Sequence, residues 1–293
     1  MGAELIDPQP LLAALGAPTP ASVTPISGGW DTLLWRVEAG PARYALRVFR
    51  PEQAGTLRRE AAVMAALHAD GLPVPHVFGA TVTGVRPALL LSWCPGATVA
   101  EELRSHPWRI WRHATAMGRM HATIHAVPIG SLVQQLPRWT PKPEDLDPRL
   151  STQLDDNATV SSSVLHLDYH PLNVLTDGQE ITCVLDWANV AIGDRRADLA
   201  RTITLLRLAP LPPHFPRLLQ RPLRSLLECG WRHGYNEIER AHPFARLDPY
   251  LVWAGRMMER DLRPKIGRPG VWLTHRDLRA IHRWTERRRR TLR

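Results

Sequence analysis

Lysine and cysteine are scarce in this chain, and long apolar runs are missing. Of its 37 basic residues only two, Lys142 and Lys265, are lysines. Chemistry that usually falls to a lysine ammonium therefore falls to arginine almost everywhere. The three cysteines, Cys94, Cys183 and Cys229, stand far apart, with neither pairing nor metal-ligand spacing. That excludes a disulfide framework and suits a reducing compartment, with the cysteines as small core residues. No uninterrupted apolar stretch is long enough to span a bilayer. Residues Met1–Asp7 lack the basic-then-apolar order of a signal peptide. The expected location is the cytoplasm, with no membrane partner.

What is present reads as globular. The chain has 293 residues, 44% hydrophobic and 22% charged, enough for two lobes with cores of their own. Its formal charge of +9 is unevenly spread: residues 199–293 hold 21 basic and 8 acidic side chains. We read these arginines as solvated helix faces rather than a nucleic-acid surface, and the run Arg287–Arg290 as a solvated end. The eleven tryptophans read as core, with an aromatic choline or sugar site as the alternative.

Alternation predicts strands within residues 22–50, from Thr24 through a turn at Ser27-Gly28-Gly29, then Leu33–Val37 and Tyr44–Phe49. Leu57, Ala61, Met64 and Leu67 predict a helix over 56–69 that Pro73 and Pro75 end. Strands follow at His76–Thr81 and Pro87–Leu91. The connector Trp93-Cys94-Pro95-Gly96 marks a lobe boundary. A long helix over 107–127, a proline-rich loop at 137–148 and short strands at Val164–Leu167, Val174–Thr176 and Ile181–Leu185 come next. Beyond Asp198 the pattern is helical, broken by proline-rich turns at 210–216 and 264–269.

Chemistry concentrates in two runs. The first, His166-Leu167-Asp168-Tyr169-His170-Pro171-Leu172-Asn173, has the form His-x-Asp-x4-Asn. The second, Cys183-Val184-Leu185-Asp186-Trp187, puts a carboxylate at the end of an apolar strand. Phosphoryl transfer needs one carboxylate to take the proton of an attacking hydroxyl. It also needs an amide oxygen and a second carboxylate to hold Mg²⁺ against nucleotide phosphates. Arg47 is the basic residue of an otherwise apolar strand, so its desolvation calls for a partner. His121 and His125 lie four apart on a helix without an evident third ligand, and read as core.

This order of parts resembles the aminoglycoside phosphotransferase and choline kinase-like branch of the protein-kinase-like fold, over about residues 22–200. In that family the motif commonly reads His-Gly-Asp-x-His-x-x-Asn-x-Leu, then Asp-Trp or Asp-Phe. Here Leu167 replaces the usual Gly, and Leu172 stands where Gly is frequent. The resemblance implies an α+β, bilobal fold, with a small antiparallel β N-lobe over 1–92, a hinge at 93–96 and a larger, mainly helical C-lobe over 97–293. It implies Asp168 as catalytic base and Asn173 and Asp186 as Mg²⁺ ligands. Arg47, paired with Glu60, would meet the phosphates of ATP or GTP. Ser27, Gly28 and Gly29 would cover them, and Ser92, Trp93 and Cys94 would offer backbone hydrogen bonds to the base. His166, His170 and Asp198 would brace the Asp168 loop, with Asp198 opening a helix.

The implied activity is transfer of the γ-phosphoryl of a nucleoside triphosphate to a hydroxyl of a small molecule, with an aminoglycoside or related antibiotic as the leading acceptor. A choline-, homoserine- or sugar-type metabolite kinase, or a catalytically silent nucleotide-binding relative, stays open beside it. A protein acceptor fits poorly, because Asp198 arrives within twelve residues of Asp186 and leaves no long activation segment.

Overall fold

The computed structural model describes residues 6–26, 32–82, 86–130, 132, 135–146, 148–155, 162–210, 217–268 and 273–292. The expected turn at Ser27, Gly28 and Gly29 lies outside them. In chain order the elements are α1 (Gln9–Ala14), β1 (Ser22–Ile26), β2 (Leu33–Ala39), β3 (Ala42–Val48), α2 (Ala54–Ala69), β4 (Val77–Thr81), β5 (Ala88–Ser92) and β6 (Ala97–Thr98). There follow α3 (Val99–Ser105), α4 (Ile110–Ala126), α5 (Pro148–Asp155), β7 (Ser162–Leu165), β8 (Val174–Thr176), β9 (Ile181–Val184) and β10 (Ala191–Asp194). The chain continues as α6 (Arg195–Leu208), α7 (Arg217–Ile238), α8 (Asp248–Leu262) and α9 (His275–Arg289). This is the expected α+β bilobal arrangement, a small antiparallel sheet followed by a mainly helical region.

The first five strands form one antiparallel sheet in the order β1-β2-β3-β5-β4. Period-two alternation sorts its side chains to two faces. Trp35, Val37, Leu46, Val48 and Leu90 pack with Leu11 and Leu12 of α1, a helix the sequence reading missed. Leu89 and Leu91 belong to the core that holds Leu57, Val63, Met64 and Leu67 of α2. Both faces of β5 are thus covered, and Ala88–Leu91 are all buried.

In the helical part β8 pairs with both β6 and β9, and β7 pairs with β10. The β8–β9 hairpin pairs Val174 with Val184 and so brings the ends of the two motif runs together. The same sheet corrects the reading of the cysteines. Cys94 follows β5 and Cys183 lies on β9, and they are joined as a disulfide across 89 residues of sequence, with Cα atoms 6.1 Å apart. Sequence spacing could not show this, because β6 carries the connector to β8 only in the folded sheet. Among the described residues no helix is long and apolar enough to cross a membrane.

Helices α4 and α7 touch backbone to backbone. A Cβ on Gly234 would sit 1.9 Å from the Thr115 carbonyl oxygen, and one on Gly118 would sit 2.0 Å from that of Trp231. Helix propensity alone would favour Gly234→Ala by about 1 kcal/mol. Close packing reverses the sign, and we expect a loss of about 1–3 kcal/mol, the usual scale of overpacking. Denaturant unfolding measures it; an unchanged or raised midpoint would contradict the contact.

Candidate active site

The loop between β7 and β8 carries His166, Asp168, His170 and Asn173, and backbone hydrogen bonds set its shape. The His166 Nε2–H donates to the Leu185 carbonyl at 2.9 Å, leaving Nδ1 to accept the Asp168 N–H at 3.2 Å. His166 thus ties the start of the loop to the strand end that carries Asp186. The His170 Nδ1 accepts the Leu172 N–H at 3.2 Å, and its Nε2 lies 3.5 Å from Asp168 Oδ2. The Asn173 amide nitrogen donates to the Asp168 carbonyl at 3.0 Å and to Asp168 Oδ2 at 3.3 Å. Its amide oxygen is the atom left to meet a cation.

Leu167 and Asp186 both adopt left-handed backbone, with φ of 61° and 63°. For a residue with a Cβ this is uncommon and costs free energy unless neighbours hold it. At Leu167 the holding comes from α6. Asp198 is completely buried, and its carboxylate accepts the His166 N–H at 2.5 Å and the Leu167 N–H at 2.8 Å. Arg201, three residues on and so on the same helix face, donates to the Leu167 carbonyl at 3.3 Å. Its Nη2 lies 4.0 Å from Asp168 Oδ1.

Burial alone would push the Asp168 carboxyl up. The His170 hydrogen bond and the neighbouring basic groups His170, Arg201 and His166 outweigh it and bring the pKa down to about 2. Asp168 is therefore an ionised acceptor throughout neutral and mildly acid pH.

The two helical histidines meet a third group after all. The Nε2 atoms of His121 and His125 each lie 3.2 Å from Asp198 Oδ2, and the three residues form a compact, buried cluster. The expectation of no third ligand fails because α6 brings Asp198 against α4 from more than 70 residues away. Asp198 is already committed to two backbone N–H groups, and His125 Nδ1 lies 2.7 Å from the Tyr235 hydroxyl. The cluster is a buried hydrogen-bonded brace. Burial takes His121 down to about 4, so its imidazole is neutral at pH 7. A smaller correction concerns the helix start. Asp194, not Asp198, is the N-cap of α6, accepting the Arg196 N–H at 2.9 Å; Asp198 sits in the first turn.

Arg47 ties the sheet to the motif. Its Nη1 donates to Glu60 Oε2 at 2.6 Å, its Nη2 to Asp186 Oδ1 at 3.1 Å and its Nε to Thr32 Oγ1 at 3.2 Å. The Glu60 side chain is wholly buried. Desolvation raises its pKa to about 7 even with the Arg47 charge pulling it down. Ser92, Trp93 and Cys94 follow one another out of β5. The N–H groups of Ser92 and Trp93 already donate to His76 and Arg43 carbonyls, at 2.8 and 3.2 Å. That of Cys94 has no partner among the described residues.

The structure thus gathers Asp168, Asn173, His166, His170, Asp186, Arg47, Glu60 and Asp198 into one connected network. Sequence reasoning missed Arg201 and Thr32. Arg201 follows Leu199 and Ala200 and precedes Ile203, all buried. The argument applied to Arg47, a cation amid apolar residues, would have found it.

The donor set suits Mg²⁺. Asn173 and Asp186 offer oxygen atoms only, and Asp186 is 41% exposed and so open to a hydrated ion.

A sequence model of the phosphotransferase enzyme family matches residues 22–232. A homoserine kinase of Methylobacillus glycogenes is 26% identical over 182 residues, covering 55% of this chain and 56% of that protein. The match thus spans little more than half the length of this curated relative. Among solved structures, a thermostable aminoglycoside phosphotransferase in a ternary complex with AMP-PNP and hygromycin B is 16% identical. It has a TM-score of 0.66, covering 96% of this chain and 97% of that one. A macrolide 2'-phosphotransferase from Brachybacterium faecium is also 16% identical, with a TM-score of 0.52 and coverage of 95% and 96%. At these identities the likeness is one of fold.

Arg201→Met should remove the cation beside Asp168 and leave the Leu167 carbonyl without its donor. A cation favours the ionised carboxylate, so its loss raises the Asp168 pKa. With Asp168 as the proposed base, the acid limb of kcat/KM should move upward in the variant. The depressed pKa also stabilises the fold above the unfolded value near 3.9, a contribution lost as pH falls toward 2. A pH–rate profile whose acid limb does not move would contradict the assignment.

Proposed function

This chain belongs to the phosphotransferase enzyme family, and we propose that it transfers the γ-phosphoryl of ATP or GTP to a hydroxyl of a small molecule. The observation that carries this reading is the single network joining Asp168, Asn173, Asp186 and Arg47. Each part of a phosphoryl-transfer site has a residue there, and each residue is held by hydrogen bonds of this chain.

In this reading Asp168 accepts the proton of the acceptor hydroxyl as its oxygen bonds to the γ-phosphorus. The bond from that phosphorus to the β,γ-bridging oxygen breaks, and the nucleoside diphosphate leaves. Asp168 is suited to the role because it is ionised at neutral pH and fixed by His170 and Asn173. Asn173 and Asp186 would hold Mg²⁺, which when bound neutralises charge on the β- and γ-phosphates. Arg47 would turn one arm of its fork from Asp186 toward the phosphates while keeping Glu60 on the other, a division that the several donors of a guanidinium permit. Of the Ser92, Trp93 and Cys94 N–H groups, that of Cys94 has no partner among the described residues and would be the one to meet the nucleotide base.

The silent-relative alternative is weakened by the same network, since no functional group of the motif is missing. Asp168→Asn keeps the size of the side chain and removes the base. It should retain nucleotide affinity and lower turnover by about a hundredfold or more, the scale of general-base loss. The check pairs nucleotide titration with diphosphate release, and turnover within a few-fold of the native rate would remove Asp168 from the mechanism.

A further inference from the structure

Beside the Asp168 loop lies a shallow, open cavity of about 240 Å³, lined by residues of α2, the stretch 137–140 and the segment 188–191, with Pro137, Arg138 and Thr140 exposed at its rim. Its polar and charged lining comes from Arg59, Arg138, Trp139, Thr140 and Asn189, and Leu167 forms part of its wall. No aspartate or glutamate lines it. Arg59 donates to the neutral Thr56 hydroxyl at 3.1 Å and lends a minor favourable field to Glu60. Among the described residues no carboxylate forms an ion pair with Arg59 or Arg138. Trp139 Nε1 is buried without a hydrogen-bond partner among the described residues. Several arginines of the helical part are instead paired with carboxylates: Arg207 and Arg232 with Glu228, Arg195 with Glu239, Arg260 with Asp145. The lining is therefore basic and uncompensated: it holds Arg59, half-buried, and Arg138, exposed at the rim, with no acidic side chain beside them.

The position matters as much as the sign. Leu167 is bonded directly to Asp168, and Ala188 stands two residues beyond Asp186. A molecule seated here has the loop of the proposed base as one wall. The C-terminal helices after residue 210 contribute nothing to this cavity.

We infer that the cavity anchors an oxyanion of the acceptor through Arg59 and Arg138, so that the substrate is a small alcohol carrying a carboxylate or phosphate. The inference rests on the phosphotransferase reading and narrows it. Guanidinium groups fork to oxyanions and are among the strongest neutral-pH donors for them. A polycationic amino sugar would meet two uncompensated positive charges, which disfavours the antibiotic acceptor of the sequence reading. The transfer step is unchanged: the acceptor hydroxyl bonds to the γ-phosphorus, and its proton goes to Asp168.

The test compares matched acceptors with the intact chain and MgATP, reading ADP release and product mass. The probes are 3-hydroxybutyrate and L-homoserine for carboxylate, glycerol 3-phosphate for phosphate, 1,3-butanediol as neutral isostere and kanamycin as polycation. The carboxylate and phosphate arms distinguish the two oxyanions. At least one oxyanion-bearing alcohol should exceed the neutral and cationic probes in kcat/KM by about tenfold or more, the scale of a charge-assisted hydrogen-bonded pair. Arg138→Gln and Arg59→Gln should each raise its KM by about tenfold, with kcat and the nucleotide KM little changed; Arg138→Lys should retain most of the affinity. Equal or better turnover of the diol or kanamycin would overturn the inference and leave the phosphotransferase reading standing. So would an acceptor KM indifferent to both arginines. ATP consumption that no probe stimulates and that Asp168→Asn does not alter would remove both.

Discussion

The buried carboxylate of Asp198 is the constraint on which the rest of the site depends. It accepts two consecutive backbone N–H groups, from His166 and Leu167, and it touches His121 and His125. A buried carboxylate without such partners would cost several kcal/mol. Here the donors hold it far below its usual pKa despite the burial that opposes ionisation. The consequence is local backbone geometry. With its N–H fixed by Asp198 and its carbonyl held by Arg201, Leu167 stays in a left-handed conformation that glycine would adopt freely. The next residue is Asp168. One helix turn of α6 thus sets where the proposed base stands and adds a cation that favours its ionised form.

A second junction, at Arg47, links that geometry to the sheet. Its guanidinium joins β3, the following helix α2 and the strand end at Asp186, 139 residues away. Glu60 is wholly buried, so this junction also fixes α2 against the rest. The pairing has a chemical use beyond stability. Asp186 is partly exposed and Glu60 is not, so in the proposed function an incoming metal and nucleotide would take Asp186 from Arg47 without disturbing the buried pair.

Much of this was legible in the sequence because the chemistry is packed into short runs. Asp168, Asn173 and Asp186 stood in recognisable spacing, and an arginine in an apolar strand asked for a partner that Glu60 supplied. The two-lobed order of strands and helices followed from periodicity. What escaped depended on long-range contacts. The Cys94–Cys183 link needs the β6-β8-β9 sheet to form, and Asp198 reaches His121 and His125 only once α6 packs on α4. Helix α1 escaped because six residues give too little periodicity to read, although Leu11 and Leu12 close one face of the sheet. The basic cavity was hidden for the same reason: Arg59, Arg138 and Asn189 have no common motif, and net charge over a segment says nothing about which arginines lack carboxylate partners.

These junctions support the proposal of direct phosphoryl transfer between two bound molecules, in which Asp168 would take a proton and not the phosphorus. Phosphorus NMR of the intact chain with MgATP and an acceptor it turns over tests that claim most directly. The account predicts a phosphomonoester signal growing in step with ADP, one for one, with little free orthophosphate. Orthophosphate as the main product, or phosphorus retained on the protein, would contradict it.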